Sequence, residues 1–177
     1  MNTAIVPVQI QKGEMRLSDF QKAYEEHARP VYRFLLSLTG NENLAEELLQ
    51  ETFYQAFLHI DRFEGRCNLY TWLCQIGKNA WLKECRRNKH YAETSWDDLP
   101  VADSNPSPEV LVIQKEQWRY IRDAMEKLAE PYKGVFILHA LGNVKLKEIA
   151  VIYQKSESWA RVTYFRAKQQ IMQEVSK

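Results

Sequence analysis

The sequence predicts an all-α protein of two small helical modules joined by a flexible linker, with a helix-turn-helix in the C-terminal module. Three observations support this fold class. Apolar residues recur every three or four positions on both sides of residues 91–108, which is the period of amphipathic helices. The middle segment lacks this period and contains three of the six prolines. Near the C-terminus, two helical patterns are separated by only a short turn, which is typical of a helix-turn-helix.

These patterns also set the predicted domain boundaries. Residues 1–16 show no sustained period and are expected to form a mobile leader, while residues 17–90 and 109–177 form the two modules, each of four helices. Residues 91–108 are predicted to be a linker, because their prolines and acids suit a tether better than a globular interior. Within it, Trp96 is a candidate docking point. Each module has its own apolar stripes, so few contacts are expected to cross the linker.

The first module begins with an apolar stripe that runs from Leu17 to Leu38. Pro30 interrupts this stripe, and proline removes a backbone donor and clashes with the preceding helical turn. Two helices are therefore predicted, with Pro30 in the first turn of the second, and Gly40 is expected to end that second helix.

The next helix is predicted to open at Asn43, which forms a variant capping box with a glutamate three residues later. Its apolar residues continue to Ile60. Its outer face carries acids and amides, and the four that we single out are Glu46, Glu47, Gln50 and Glu51. Charged runs of this kind are most often solvated faces, and the residues alone favour that interpretation.

The stretch from Arg62 to Lys89 combines aromatic rings with many cations on one predicted helix and its leading loop. Asn68 is a candidate N-cap. The expected buried stripe is Leu69, Trp72, Leu73, Ile76 and Ala80. The residues expected to face outward are Tyr70, Thr71, Gln75, Lys78, Asn79 and Arg86. Stacking rings and cations suit unpaired bases and their phosphates. The alternative is an amphipathic core helix with a solvated basic face.

The second module is predicted to begin with a helix that runs from Glu109 and ends before Pro131. A helix from Tyr132 to Leu141 follows and stops at Gly142. The segment LKEIAVIY then leads through a tight turn into a longer helix that opens near Ser156 or Ser158. Basic residues on this last helix make DNA binding a better interpretation than an ordinary helical hairpin. These residues are Arg161, Arg166 and Lys168.

Composition is ordinary for a soluble globular protein, with 45% apolar and 27% charged residues in a chain of 177. The net charge of +1 would not by itself indicate a nucleic-acid binder. The charge is sorted along the chain, however: residues 61–90 and 143–177 are rich in Lys and Arg, whereas residues 41–60 and 93–109 are acidic. Such blocks indicate separate partners for separate faces.

Several functional classes are not expected. The three cysteines, Cys67, Cys74 and Cys85, form no C-x-x-C pair and no zinc-like spacing with histidine, so neither a metal site nor another cofactor is predicted. An odd cysteine count without a signal peptide fits a reducing cytoplasm. No apolar run approaches the roughly 18 residues that read as a membrane span, so no membrane insertion is expected. No nucleophile-base pair, ligand set or phosphate loop indicates an enzyme.

Three segments in order carry a resemblance to a known family. They are NLAEELLQETFYQAF, then F-E-G-x-x-x-L-Y-T-W-L-x-x-I-x-x-N followed by R-R, and finally LKEIAVIYQKSESWARVTYFRAK. Together they resemble the extracytoplasmic-function (ECF) sigma factors, the small promoter-recognition subunits of bacterial RNA polymerase. The resemblance covers most of the chain outside the leader and the linker.

The resemblance implies a function for each segment. The acidic helix would dock on core RNA polymerase, with Gln50 and Glu51 the first candidates. The second segment would bind the minus-ten element of promoter DNA as duplex and as melted strand. Its candidates are Tyr70, Lys78, Asn79, Lys83, Arg86 and Arg87. The last helix would read the minus-thirty-five element in the major groove. Its candidates are Ser158, Arg161, Val162, Phe165, Arg166 and Lys168. An anti-sigma factor is a further implied partner.

The sequence departs from the family pattern at the recognition helix and in the second segment. Val162 stands where serine is usual and Thr163 where a basic residue is usual, so the preferred bases stay open. Gly77 stands where alanine is common and costs about 1 kcal/mol in helix propensity, which suggests a close helix crossing. A free-standing helix-turn-helix regulator is the alternative function, but it gives no reason for the aromatic and basic first module.

Overall fold

The computed structural model describes residues 17–88 and 120–176, and all regular elements in these ranges are helical. The predicted leader, the linker with Trp96, and the first part of the helix predicted from Glu109 lie outside the described residues. The first module contains α1 (Leu17–Thr39), α2 (Glu42–Leu58), a 3₁₀ turn (Ile60–Arg62) and α3 (Leu69–Asn88). The two-module helical fold predicted from the sequence is confirmed.

Helix α1 continues through Pro30, so the prediction of two separate helices is wrong. A proline inside a helix removes one backbone hydrogen bond and costs roughly 3 kcal/mol. The apolar stripe after Pro30 offsets this cost, because Val31, Phe34, Leu35 and Leu38 are each at most 2% exposed. Burial of such side chains contributes about 1.5 to 3 kcal/mol each. The helix ends at Gly40, as predicted, with a φ of 64°.

The caps of α2 and α3 differ in how well the sequence predicts them. Helix α2 is capped by Asn41 and not by Asn43, because the Oδ1 atom of Asn41 accepts from the backbone N–H of Leu44 at 2.9 Å. Helix α3 is capped by Asn68 as predicted, with its Oδ1 atom 2.7 Å from the backbone N of Thr71. The difference arises because several residues before α2 could serve as caps, and only the path of the chain after α1 selects one.

Gly77 on α3 lies where the first three helices meet. A β-carbon at this position would be 3.1 Å from Leu35 Cδ2 and 3.1 Å from Thr52 Oγ1. The glycine therefore lets α3 approach α1 and α2 more closely than an alanine would, which confirms the expected close crossing.

The described part of the second module contains a helix over residues 120–127 (α4), followed by α5 (Tyr132–Phe136), which continues as a π-helical turn (Ile137–Leu141). Helix α6 (Leu146–Ile152) and helix α7 (Glu157–Val175) then form the predicted helix-turn-helix. The tight turn passes through Gln154, which has a φ of 53°. Ser156 caps α7, since its Oγ atom accepts from the backbone N–H of Trp159 at 3.1 Å.

The two modules share one hydrophobic cluster. Phe34 of α1 approaches the end of the π-helical turn, where a β-carbon at Gly142 would be 3.3 Å from the phenyl ring. Buried residues of both modules belong to this cluster, including Leu73 and Trp81 of α3 and Ile149 of α6. The expectation of few contacts across the linker is therefore wrong for this structure. Among the described helices, none is long and apolar enough to cross a membrane.

Replacing Phe34 by alanine should lower the free energy of unfolding by about 3 to 5 kcal/mol, because it opens a cavity in this shared cluster. Chemical denaturation followed by circular dichroism measures the change. Phe165→Ala is the matched control, since its ring is 60% exposed and its loss should cost about 0.5 kcal/mol or less. Equal effects of the two substitutions would contradict the central position of Phe34.

Candidate nucleic-acid and polymerase interfaces

Helix α7 has one buried side and one side that is exposed to solvent. Its buried residues are Ala160, Thr163, Ala167 and Ile171, at the three- and four-residue spacing of a helix face. All six residues predicted to contact the minus-thirty-five element are exposed. They are Ser158, Arg161, Val162, Phe165, Arg166 and Lys168. The packing of α7 on α5 and α6 thus leaves the predicted recognition side open to solvent.

The exposed side of α7 has an apolar centre with charged margins. Val162 is 49% and Phe165 is 60% exposed. With Gln169 and two arginines they line a shallow depression of about 340 Å³. At 100° per residue, Arg161 and Arg166 lie on opposite margins of this depression. The two side chains point in different directions, but both border the same surface.

Arg161 is already paired within its own helix. Its Nη2 atom lies 2.8 Å from Oε1 of Glu157, and the two side chains are 71% and 51% exposed. An exposed pair of this kind contributes about 0 to 1 kcal/mol. Arg161 can therefore leave Glu157 for a base edge or a phosphate at little cost.

Four of the predicted minus-ten residues on α3 are exposed. They are Asn79, Lys83, Arg86 and Arg87. The Arg87 side chain lies 2.8 Å from that of Glu84, and Arg86 Nε donates to the Leu82 carbonyl at 3.2 Å. This basic edge near the C-terminal end of α3 is open to solvent.

Other α3 residues predicted to face outward do not. Lys78 is only 3% exposed and Thr71 only 1%, and Tyr70 is half-buried with its hydroxyl donating to the Gly142 carbonyl at 2.9 Å. The prediction that these three side chains face outward is wrong, because the second module packs over this part of α3. Whether Tyr70 and Lys78 contact melted DNA stays a prediction. Trp81, one of the two tryptophans of this helix, is also buried at 2% exposure.

The buried ionisable groups have shifted pKa values. Burial lowers the pKa of Lys78 because it disfavours the charged ammonium, and the nearby Glu130 carboxylate opposes this shift. Burial raises the pKa of Tyr70, and it raises the pKa of Cys74 to about 12. Cys74 is thus a free thiol inside the core. Within residues 17–88 and 120–176, no three His, Cys, Asp or Glu side chains form a metal-binding group.

A cleft of about 510 Å³ lies between the modules. On the α3 side, Lys78, Asn79 and Arg86 line it, and on the side of the second module Glu130 and Tyr153 do. The cleft thus joins predicted DNA-binding residues to an acidic residue of the other module. The sequence analysis did not identify Glu130 or Tyr153, because contacts between distant segments leave no signal in a single sequence.

The outer face of α2 is largely exposed. Glu46, Glu47 and Gln50 are exposed, while Glu51 is half-buried and accepts from the Gln55 side chain at 2.9 Å. Phe57 belongs to the apolar pattern of this helix, yet it is 49% exposed, and the centroid of its ring lies 5.2 Å from that of Phe20. The acidic face is therefore bordered by an exposed aromatic ring, a residue type that is enriched at protein interfaces.

Comparison with known proteins identifies the family of the chain. Residues 23–91 match Sigma-70 region 2, and residues 118–171 match Sigma-70, region 4. The ECF RNA polymerase sigma factor SigM of Bacillus subtilis (strain 168) is 32% identical over 148 residues, which are 84% of this chain and 90% of SigM. The chain belongs to the ECF sigma factors. SigX of the same organism is 28% identical over 152 residues, covering 83% of this ECF sigma factor and 78% of SigX.

Solved structures show the same fold. The sigma factor RpoE in complex with the anti-sigma factor NepR from Bartonella quintana has a TM-score of 0.61 at 19% identity, with 90% of this chain and 98% of that chain covered. CnrH in complex with the cytosolic domain of CnrY has a TM-score of 0.59 at 16% identity, with 92% and 90% covered.

The two matched regions establish the function of this ECF sigma factor. It directs promoter-specific transcription initiation, and the alternative of a free-standing helix-turn-helix regulator is not favoured. Sigma factors are non-enzymatic initiation factors, whose region 2 and region 4 domains bind core RNA polymerase and promoter DNA.

Proposed function

We propose that this ECF sigma factor uses three separate surfaces during initiation. The acidic face of α2 docks on core RNA polymerase, the α3 segment holds the minus-ten element and its melted strand, and the exposed side of α7 reads the minus-thirty-five element. The outward orientation of α7, with six predicted contact residues exposed on a helix that is packed on its other side, is the observation that supports the proposal most directly.

Each surface has chemistry that suits its partner. Carboxylates on α2 complement a basic protein surface and chiefly favour orientation and association rate. On α3, Asn79 can bond the edge of an unpaired base, while Lys83, Arg86 and Arg87 can neutralise phosphates. On α7, arginines can pair with guanine or phosphate, and Val162 and Phe165 can contact thymine methyl groups.

Further assignments follow from the family. RpoE and CnrH are known in complexes with NepR and with the cytosolic domain of CnrY. We infer that this sigma factor also binds an anti-sigma factor. We infer as well that it acts in the cytoplasm, where RNA polymerase transcribes, and that the polymerase alone supplies the catalytic chemistry.

Reconstitution with core RNA polymerase tests the whole proposal. The purified chain should bind core polymerase and direct it to defined start sites on genomic DNA, because promoter choice then depends on this subunit. Core polymerase without the chain is the control. Binding to promoter DNA without any association with core polymerase would instead support a free-standing regulator.

Reversing two charges on the acidic face should weaken core binding. The double variant Glu47→Lys/Glu51→Lys should bind core polymerase about tenfold or more weakly, since it places cations against a basic partner surface. Fluorescence titration of labelled variants measures the affinity. The matched control is Glu25→Lys/Glu26→Lys, two exposed positions on α1. Parent-like affinity of the α2 variant would exclude this docking surface.

Asn79→Ala should impair promoter opening more than duplex binding, because a contact to an unpaired base exists only after melting. Permanganate reactivity of promoter thymines in the reconstituted holoenzyme reports the opening, and filter binding reports the duplex complex. Asn43→Ala, another exposed asparagine of the first module, is the control. Equal thymine reactivity in parent and Asn79→Ala holoenzymes would remove Asn79 from the site.

The two arginines of α7 should have different roles. Arg161 is nearer the helix N-terminus that enters the groove, so Arg161→Ala should relax the preference at one base pair by about 1 to 3 kcal/mol. Arg166→Ala should weaken binding to all sequences alike and reduce the salt slope by about one. Binding of the full chain to a duplex library at several salt concentrations measures both. The opposite pattern would reverse the assignment.

A further inference from the structure

A buried lysine links the two modules. Lys78 of α3 places its Nζ atom 3.4 Å from the Tyr153 hydroxyl and 3.9 Å from Oε1 of Glu130. The Tyr153 hydroxyl in turn donates to Oε2 of Glu130 at 3.3 Å. Gly134 forms the floor of this cluster, where a β-carbon would lie 1.9 Å from the Tyr153 hydroxyl oxygen. A cation of the promoter-binding segment is thus enclosed by groups of the second module.

A second polar contact lies at the N-terminal end of α3. Glu148 of α6 accepts from Asn68 Nδ2 at 3.0 Å through Oε1, and from the Thr71 hydroxyl through Oε2. Beside it, the Tyr70 hydroxyl donates to the Gly142 carbonyl at 2.9 Å. The carboxylate therefore lies over the first turn of a helix, on donors that would equally suit a phosphate.

Both contacts use an acid of the second module to satisfy donors of α3. Phosphate oxygens of a DNA strand could accept from the same donors, because carboxylate and phosphate are both anionic acceptors. The two cannot bond the same atoms at once. Thr71 and Lys78 are buried, so a strand can reach them only when α6 and the segment around Glu130 have moved away.

The contacts are also of a kind that can be released. The Glu130 side chain is 50% exposed, so its pairing with Lys78 is partly screened by solvent. Burial lowers the pKa of Lys78 and the Glu130 carboxylate opposes this shift, so desolvation of the ammonium works against the closed arrangement. The closed arrangement thus has to offset the burial of a charge that solvent would otherwise hydrate.

From these contacts we propose that the second module occludes the strand-binding surface of α3 in the free protein. Glu148 and Glu130 occupy donors of α3 that could otherwise bond strand phosphates, and the surface becomes available when the modules separate. This inference rests on the assignment of α3 to melted DNA made above. It explains why Lys78 and Tyr70, which match the family's promoter-binding segment, are covered here.

Removing the two carboxylates tests the occlusion. The double variant Glu130→Ala/Glu148→Ala should expand in solution and bind single-stranded DNA about tenfold more tightly than its control, since hydrogen bonds to charged groups that compete with the strand are lost. Small-angle X-ray scattering reports the radius of gyration. Fluorescence anisotropy with a labelled random-sequence single strand reports the affinity.

The matched control is Asp123→Ala/Glu174→Ala. It removes the same charge from the same module, at an exposed residue of α4 and at an acid that pairs with Lys127, and it leaves the Glu157–Arg161 pair of α7 intact. Any general increase in DNA affinity that comes from a more positive chain therefore appears in both variants. If the double substitution prevents folding, Glu148→Gln is the second variant, because it keeps the side-chain shape and loses the charge. We expect it to increase the affinity for single-stranded DNA by a smaller factor than the double variant.

Two results would overturn the occlusion. One is an expanded variant that binds the strand no more tightly than the control, and the other is a variant that stays as compact as the control. These outcomes differ from failure of the α3 assignment itself, which would appear as equal promoter opening by holoenzymes with and without Asn79. The two ideas can thus fail separately.

Discussion

The apolar face of α1 is the constraint on which the rest of the structure depends. Val31, Phe34, Leu35 and Leu38 form one uninterrupted buried stripe, and α2, α3 and the π-helical turn all pack against this helix. Gly77 lets α3 approach Leu35 closely, and Gly142 brings the second module against Phe34. One helix therefore holds both modules in position, even though the chain between them is a proline-rich segment.

Around the apolar packing on α1, the interface between the modules is polar. Lys78, Tyr153 and Glu130 meet at one point, and Glu148 meets Asn68 and Thr71 at another. Apolar packing alone would be tolerant of sliding, whereas these bonds require a particular register. Buried charge contributes little net stability, because desolvation opposes pairing. The polar contacts thus define how the two modules fit together, while the free energy needed to separate them stays modest.

The three exposed surfaces differ in how they relate to this interface. The acidic face of α2 and the outer side of α7 lie on exposed sides of their helices, so module closure leaves their charged side chains open to solvent. The α3 segment is divided, with Lys83, Arg86 and Arg87 exposed and Lys78 covered. A sigma factor in this form presents the surfaces proposed for polymerase and duplex DNA while part of the proposed strand-binding segment is enclosed. The order in which the partners bind can therefore depend on module separation.

The sequence by itself determined the helical class, the two modules, the family and the residues on the outer side of α7. Each of these depends on the spacing of apolar residues, on caps such as Asn68 and Ser156, or on motifs in a fixed order. All of these features involve residues that are close together in the sequence. Only the tertiary structure decided that α1 is continuous through Pro30, that Asn41 caps α2, and that Lys78 is buried. In each case the outcome depends on packing between segments far apart in the chain. A lysine on a basic helix has the same local pattern whether solvent or Tyr153 faces it, so the three-dimensional contact decides its environment.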